Sequence, residues 1–170
     1  MSLMIKPYSR EAACLYAKEW ALKRNPLYYD FENLGGDCTN FASQCLYAGS
    51  GVMNYTKTFG WYYINAANRA PSWTGVEFLY NFIIGNQAVG PFGQDIPLEL
   101  IEPGDIIQIA TERPDFHHTP VVLSVGDKPS PNNIMLAAHS YDAINKPLSA
   151  YNYHKIRIIH IIGVRQTERI

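Results

Sequence analysis

The order of helical and strand-like segments most limits what this chain can fold into. Its first half carries apolar residues at helical spacing, whereas its last third contains short β-rich runs bounded by Gly, Pro, Asn or Asp. Helices followed by a group of strands predict an α+β fold. The predicted helices cover residues 9–23, a segment that starts at Cys38, and a short segment that Thr74 opens and Gly85 stops. The predicted strands cover residues 106–110, 117–125, 134–140 and 156–164.

Length and composition predict one domain over residues 1–170. The 47% hydrophobic content excludes a mostly disordered chain. A net charge of −1 argues against nucleic acid or an anionic membrane surface as a partner. No apolar run approaches the ~20 residues of a membrane span. No signal peptide is visible at the start, since no basic region is followed by an apolar stretch.

The segment from Gly35 to Cys45 places a cysteine at the start of a predicted helix. Its sequence is Gly-Gly-Asp-Cys-Thr-Asn-Phe-Ala-Ser-Gln-Cys, and apolar residues follow Cys38 at helical spacing. Asp37 is the expected cap, and Gly49 the expected stop. The unpaired N–H groups and the dipole of a helix N-terminus stabilise a thiolate. Cys38 is therefore a candidate nucleophile.

Helix boundaries elsewhere have similar signals. Ser9 is the expected cap of the first helix, and Thr74 and Glu77 fit a capping box before the third. The other cysteines, Cys14 and Cys45, fall on apolar helix faces, so we expect them to pack as small buried side chains.

Two histidines lie where a cysteine nucleophile would need a base and an orienting group. His118 opens the second predicted strand, and His139 ends the third. If these strands are antiparallel neighbours, the two imidazoles could be adjacent, with His118 as base and His139 fixing its tautomer. The neighbouring His117 would face the other side of the strand.

At these residues the chain resembles the NlpC/P60 and CHAP papain-like amidases, and more closely the bacterial amidase domain family Amidase_6. The cysteine segment is the most specific part of the resemblance. The other matching segments are Tyr16-Ala17, Asn25-Pro26, Gly60-Trp61-Tyr62-Tyr63, Ser72-Trp73-Thr74, the Gly104-Asp105 turn and the strand that His118 leads.

The resemblance implies a papain-like core, in which the nucleophile helix packs on an antiparallel sheet, and a cysteine amidase or peptidase without a cofactor. Cys38, His118 and His139 would be catalytic, although Asp142 could replace His139 as the third residue. Glu32 stands where papain has a glutamine oxyanion donor, so the backbone N–H of Cys38 is the safest oxyanion donor. Peptidoglycan stem peptide is the implied substrate, and a secreted or wall-associated location the implied setting. Acyl transfer stays open.

Two other classes of function remain open. A cysteine, two or three histidines and an aspartate could ligate zinc, although the chain lacks the closely spaced pairs that are typical of such sites. A wall-binding module on the same fold, without catalysis, is the second alternative.

Overall fold

The computed structural model describes residues 2–168 and has an α+β fold with an antiparallel sheet. Its α-helices are α1 (Arg10–Trp20), α2 (Cys38–Ser50), α3 (Pro71–Thr74) and α4 (Val76–Gly85). Its strands are β1 (Leu3–Lys6), β2 (Tyr63–Asn65), β3 (Asn68–Arg69), β4 (Gly90–Asp95), β5 (Ile106–Ala110), β6 (Val121–Val125), β7 (Ile134–Ala138), β8 (Ala143–Pro147) and β9 (Lys155–Thr167). Single 3₁₀ turns occur at Leu98–Leu100 and Leu148–Ala150.

Seven strands form one sheet in which every pairing is antiparallel. The order is β1-β9-β5-β6-β7-β8, and β4 also pairs with β9. The long β9 therefore has three partner strands. β2 and β3 form a separate two-stranded sheet.

Alternate residues of the large sheet contribute to two apolar clusters. The first contains Ile106 and Val121 and packs against the helices, including Phe41 of α2. The second contains Ile107 and Val122. Because successive strand residues point to opposite faces, these clusters mark the two sides of the sheet. The nucleophile candidate lies on the helix that packs against the first cluster.

α1, α2 and α4 match the predicted segments, but the expected end signals at Gly49 and Thr74 are wrong. The Ser9 hydroxyl does cap α1 by accepting from the Ala12 N–H at 3.2 Å. α2 continues past Gly49 to Ser50, and Gly51 ends it in the left-handed conformation with φ of 65°. Thr74 belongs to α3 instead of opening a capping box, and its hydroxyl accepts from Arg69 Nε at 3.1 Å.

No helix between residues 2 and 168 is long and apolar enough to cross a membrane.

Candidate active site

Cys38 is the first residue of α2 and is 7% exposed. Gly35 ends the turn before α2 and Gly36 follows it; their φ values of 89° and 100° favour glycine at both positions. The thiol Sγ lies 3.8 Å from the His117 carbonyl oxygen and 3.8 Å from Thr39 Oγ1. The start of α2 is therefore fixed against the backbone that precedes β6.

Asp37 does not cap α2 with its side chain, contrary to the expectation. Its buried carboxylate accepts from the Phe31 N–H at 2.9 Å and from Asn40 Nδ2 at 2.8 Å. The other carboxylate oxygen lies 2.5 Å from His139 Nδ1. Asp37 thus joins the loop before α2, the first turn of α2 and the end of β7.

Further polar contacts hold the first turn of α2 in place. Asn40 accepts from Trp73 Nε1 at 3.0 Å, and the hydroxyls of Thr39 and Thr119 are 3.0 Å apart. The Ser140 hydroxyl accepts from the Asp37 N–H at 2.8 Å. Thr119, Ser140 and Trp73 belong to this site, and sequence reasoning assigned no role there to any of them. The adjacency of Thr119 and Ser140 to the predicted histidines was the available signal.

His118 lies three residues before β6 and does not open it. The His117 N–H donates to the Ile109 carbonyl, and the Ile109 N–H donates to the His118 carbonyl. His117 and His118 therefore both lie opposite Ile109, as in a β-bulge. The His118 ring packs against Tyr151 with their centroids 5.8 Å apart. Tyr151 packs on the second cluster, on the sheet face away from α2.

Burial lowers the pKa of His118 to about 4, and the positive charges of His117 and Lys146 add to this effect. The ring is therefore neutral near pH 7. Within residues 2–168 neither of its nitrogens has a hydrogen bond to the protein.

His139 follows β7 directly and stacks on Phe41, with ring centroids 4.1 Å apart. Its Nδ1 faces the Asp37 carboxylate, and its Nε2 lies 2.8 Å from the Trp20 carbonyl oxygen. Both ring nitrogens of His139 therefore already have partners. Neither nitrogen is left for His118.

The register of β6 and β7 explains why the two imidazoles are apart. Val121 pairs with Ala137. The same register, continued toward the ends of both strands, places Thr119 opposite His139. Since residues opposite each other share a sheet face, His139 lies with Thr119 under α2, whereas the His118 ring lies with Tyr151.

The remaining candidates are engaged elsewhere. Both nitrogens of the His117 ring have partners, Thr111 Oγ1 at 2.9 Å and the Asp115 carbonyl at 3.0 Å. Asp142 accepts two hydrogen bonds from Arg24, at 2.7 and 3.1 Å. Glu32 pairs with the same guanidinium at 3.4 Å.

Burial raises the pKa of the Cys38 thiol, and hydrogen bonds with Thr39 and Thr119 oppose the rise only in part. Burial therefore opposes the thiolate form of Cys38, and the thiol needs a base to become nucleophilic. Burial raises the pKa of Cys14 and Cys45 too, and both are buried as expected.

Among the described side chains, no group of three or more His, Cys, Asp and Glu residues is arranged to hold a metal ion.

Comparison with known proteins gives a family and a relative. The family model Amidase_6, described as "Putative amidase domain", matches residues 7–162. The uncharacterized protein YhbB of Bacillus subtilis (strain 168) is 31% identical over 139 residues, which cover 80% of this chain and 42% of that protein. The chain therefore spans less than half of this relative's length. No solved structure matches the chain.

Proposed function

Because this chain belongs to the Amidase_6 family of amidase domains, we propose that it hydrolyses an amide bond with Cys38 as the nucleophile. The family description points to amide hydrolysis in general. One observation carries the cysteine mechanism: the Cys38 thiol lies at a helix N-terminus, 3.8 Å from the backbone carbonyl that precedes His118. Of the three histidines around this helix start, His118 is the one whose ring nitrogens the described protein leaves unbonded.

His118 is the proposed base. Burial lowers its pKa to about 4, so the ring is neutral near pH 7 but is a weak base where it lies. Leaving this buried position raises its pKa and lets it take the proton of the thiol. In the structure its ring packs on Tyr151, so rotation of the side chain toward α2 must precede proton transfer. No hydrogen bond within the described chain holds the ring back, whereas such bonds fix the rings of His117 and His139.

The proposed reaction then balances as ordinary hydrolysis. The Cys38 thiol gives its proton to His118, and Sγ forms a bond to the amide carbonyl carbon. The Cys38 backbone N–H, at the N-terminus of α2, donates to the developing oxyanion. Collapse breaks the C–N bond, and His118 returns the proton to the departing amine. Water, deprotonated by His118, then cleaves the thioester and releases a carboxylic acid and the free thiol.

We propose that His139 positions the start of α2 through Asp37 and does not orient His118 directly. It holds the Asp37 carboxylate at 2.5 Å, and Asp37 in turn fixes Asn40 and the loop at Phe31. The contact between His139 and Asp37 supports a role for His139 in positioning Cys38 at the start of α2. The alternative third residue, Asp142, is paired with Arg24.

We further propose that residues 1–170 form one papain-like domain and that its substrate is a cell-wall peptide or a related amide. The antiparallel sheet and the cysteine at the start of a packed helix support the fold. The resemblance to NlpC/P60 and CHAP amidases supports the substrate.

Incubation with purified peptidoglycan, with mass spectrometry of the released fragments, tests this function. We expect new amine and carboxyl ends from the unaltered protein and no cleavage by Cys38→Ala. Cys14→Ala is the matched control, since Cys14 is a similarly buried thiol on α1 and should leave cleavage intact. We expect His118→Ala to slow cleavage by ~10²–10⁴-fold. Cleavage by Cys38→Ala would refute the cysteine mechanism. Wall binding without cleavage by any variant would favour the non-catalytic module instead.

A further inference from the structure

A groove outside the candidate active site lies between residues 54–60 and the exposed side of α4. It encloses a cavity of about 420 Å³. Two aromatic rings stand at this groove, Phe59 with 84% exposure and Phe78 with 60% exposure. Two phenylalanines this exposed at one cavity offer flat apolar surfaces to a ligand.

The backbone next to the exposed Phe59 is strained. The Phe59 N–H donates to the Lys57 carbonyl at 2.8 Å, and the residue between them, Thr58, has φ of 68°. This is the hydrogen bond of a γ-turn whose central residue has positive φ, which is a rare and strained form. A β-branched residue is especially unfavourable there. Such outliers cluster at functional sites.

The groove wall is fixed by internal hydrogen bonds that leave other amides free. Asn54 and Asn86 both donate to the Val89 carbonyl, at 2.9 and 3.2 Å, and Ser72 donates to the Gly60 carbonyl at 2.6 Å. The exposed amides of Asn81 and Gln87 also line the groove, and within residues 2–168 neither has a hydrogen bond to the protein. None of the described lining residues is charged.

We propose that this groove binds a neutral sugar of a polysaccharide. Aromatic rings stack on the C–H faces of a pyranose, and amide side chains pair with its hydroxyl or N-acetyl groups. An uncharged lining gives no partner to a phosphate, carboxylate or ammonium. An extended peptide that binds by strand addition needs free backbone groups at the wall, but the nearby carbonyls of Gly60 and Val89 already accept side-chain hydrogen bonds.

The groove and the start of α2 share one layer of aromatic side chains. Ser72 lines the groove, and the next residue, Trp73, donates to Asn40 of α2. Trp61 packs on both Trp73 and the groove residue Phe82, with ring centroids 4.9 and 6.0 Å apart. Tryptophan fluorescence can therefore report a ligand in the groove. Sugar binding goes beyond the proposed function, since it needs no chemistry at Cys38.

The test is titration of the full chain with chitotetraose and cellotetraose, two neutral oligosaccharides. Tryptophan fluorescence and calorimetry monitor the binding. We expect saturable binding of at least one of them and a loss of about tenfold in affinity for Phe59→Ala. Leu27→Ala is the control, because Leu27 is an exposed apolar side chain outside the groove. Cys38→Ala should bind as tightly as the unaltered protein, so this result does not depend on whether the protein is an amidase.

Thr58→Gly provides a second variant, which keeps the Phe59 ring and removes the strain. We expect it to unfold at a higher temperature and to bind the oligosaccharide more weakly, because the ring is no longer held outward. Absence of saturable binding to either sugar would overturn the proposal, as would equal affinity of Phe59→Ala and Leu27→Ala. Binding of tetra-alanine in the same groove, with no sugar binding, would identify a peptide site instead.

Discussion

At the residue scale, the turn between β7 and β8 combines strain with exposure. Ser140 and Tyr141 have φ of 57° and 65°, a pair of values that fits a tight hairpin turn but is unfavourable without glycine. Ser140 is tied to the loop before α2 through its hydrogen bonds with Asp37 and Glu32. Tyr141 is 93% exposed, so its side chain contributes little packing to offset the strain.

Tyr141→Gly should therefore stabilise the protein by about 1 kcal/mol, since glycine adopts positive φ without steric cost. The measurement is the urea midpoint of unfolding. Tyr141→Ala is the matched control and should change stability little, because alanine retains Cβ. Equal stabilisation by both variants would show that the tyrosine ring, and not the backbone, is unfavourable.

The buried neutral ring of His118 predicts a pH dependence of stability. Its pKa is about 4 in the folded protein and about 6.5 in an unfolded chain, so the unfolded state binds the extra proton between these values. Stability is unaffected by this group above pH 6.5 and is lost as the pH falls toward 4, by up to about 3 kcal/mol. Thermal melts at pH 7, 6, 5 and 4 measure this loss.

The His118→Asn variant should lose less stability over the same pH range. His154→Asn is the control, because His154 is an exposed histidine outside the site. Parallel pH profiles for the unaltered protein and His118→Asn would contradict a depressed pKa at this position.

At the element scale, the end of α2 approaches the start of α1 through a glycine. A Cβ on Gly49 would lie 2.3 Å from Tyr8 Cε2 and 2.8 Å from the Ser9 carbonyl oxygen. The Ser9 N–H also donates to the Gly49 carbonyl at 2.9 Å, so the two backbones cannot move apart without losing this bond. Gly49 serves close packing, although its position in the sequence resembles a helix stop.

Gly49→Ala should destabilise the protein by about 1–3 kcal/mol through overpacking. Gly85→Ala offers a matched comparison at the last residue of α4, where a Cβ would have no neighbour within 4 Å. That change should be neutral or stabilise by up to about 1 kcal/mol. Chemical denaturation measures the free energy of unfolding of both variants, which should change in opposite directions or only for Gly49→Ala. A Gly49→Ala protein as stable as the unaltered protein would mean that Tyr8 moves aside freely.

The segments with a clear local pattern were predictable from sequence. α1, α2 and α4 and the strands β5, β7 and β9 occur where hydrophobic spacing placed them. β4 has no such pattern, because Gly90-Pro91-Phe92-Gly93 does not alternate; its strand conformation depends on pairing with β9. β8 contains Asn145 at φ of 51° and has no continuous β pattern either.

The site was predictable only up to the position of Cys38. The helix pattern correctly placed this cysteine in the first turn of α2. It could not show that the Asp37 carboxylate is already engaged by Phe31, Asn40 and His139, since these contacts join distant segments. Which face each histidine takes depends on the β6–β7 register and on the bulge at Ile109, and neither is encoded in local spacing.

At the scale of the whole molecule, the buried carboxylate of Asp105 connects three parts of the fold. One oxygen accepts from Arg10 Nη1 at 2.8 Å and from the Ile161 N–H at 3.1 Å. The other accepts from the Glu102 N–H at 2.9 Å and lies 2.9 Å from His160 Nδ1. These contacts join α1, the turn before β5, and β9.

Asp105→Asn should destabilise the whole protein by about 3 kcal/mol, because it leaves the Arg10 guanidinium without its buried partner and several donors unsatisfied. Glu102→Gln is the control: Glu102 lies 3.6 Å from the same guanidinium but is exposed, so its loss should cost less than about 1 kcal/mol. Urea unfolding followed by circular dichroism measures both. Equal losses would show that Asp105 contributes no more than a surface ion pair.

The pairing of β9 with three strands has a consequence for how the chain folds as it is made. Its partners come from residues 3–6, 90–95 and 106–110. These strands cannot pair with β9 until residues 155–167 have been synthesised. While the ribosome adds the intervening residues, the apolar sides of α1, α2 and α4 have no completed sheet to cover them. Contacts between such distant residues form slowly and leave aggregation-prone surface exposed in the meantime. Nascent chains that stop before residue 155 should therefore depend on chaperones, even though α1 to α4 have already been synthesised.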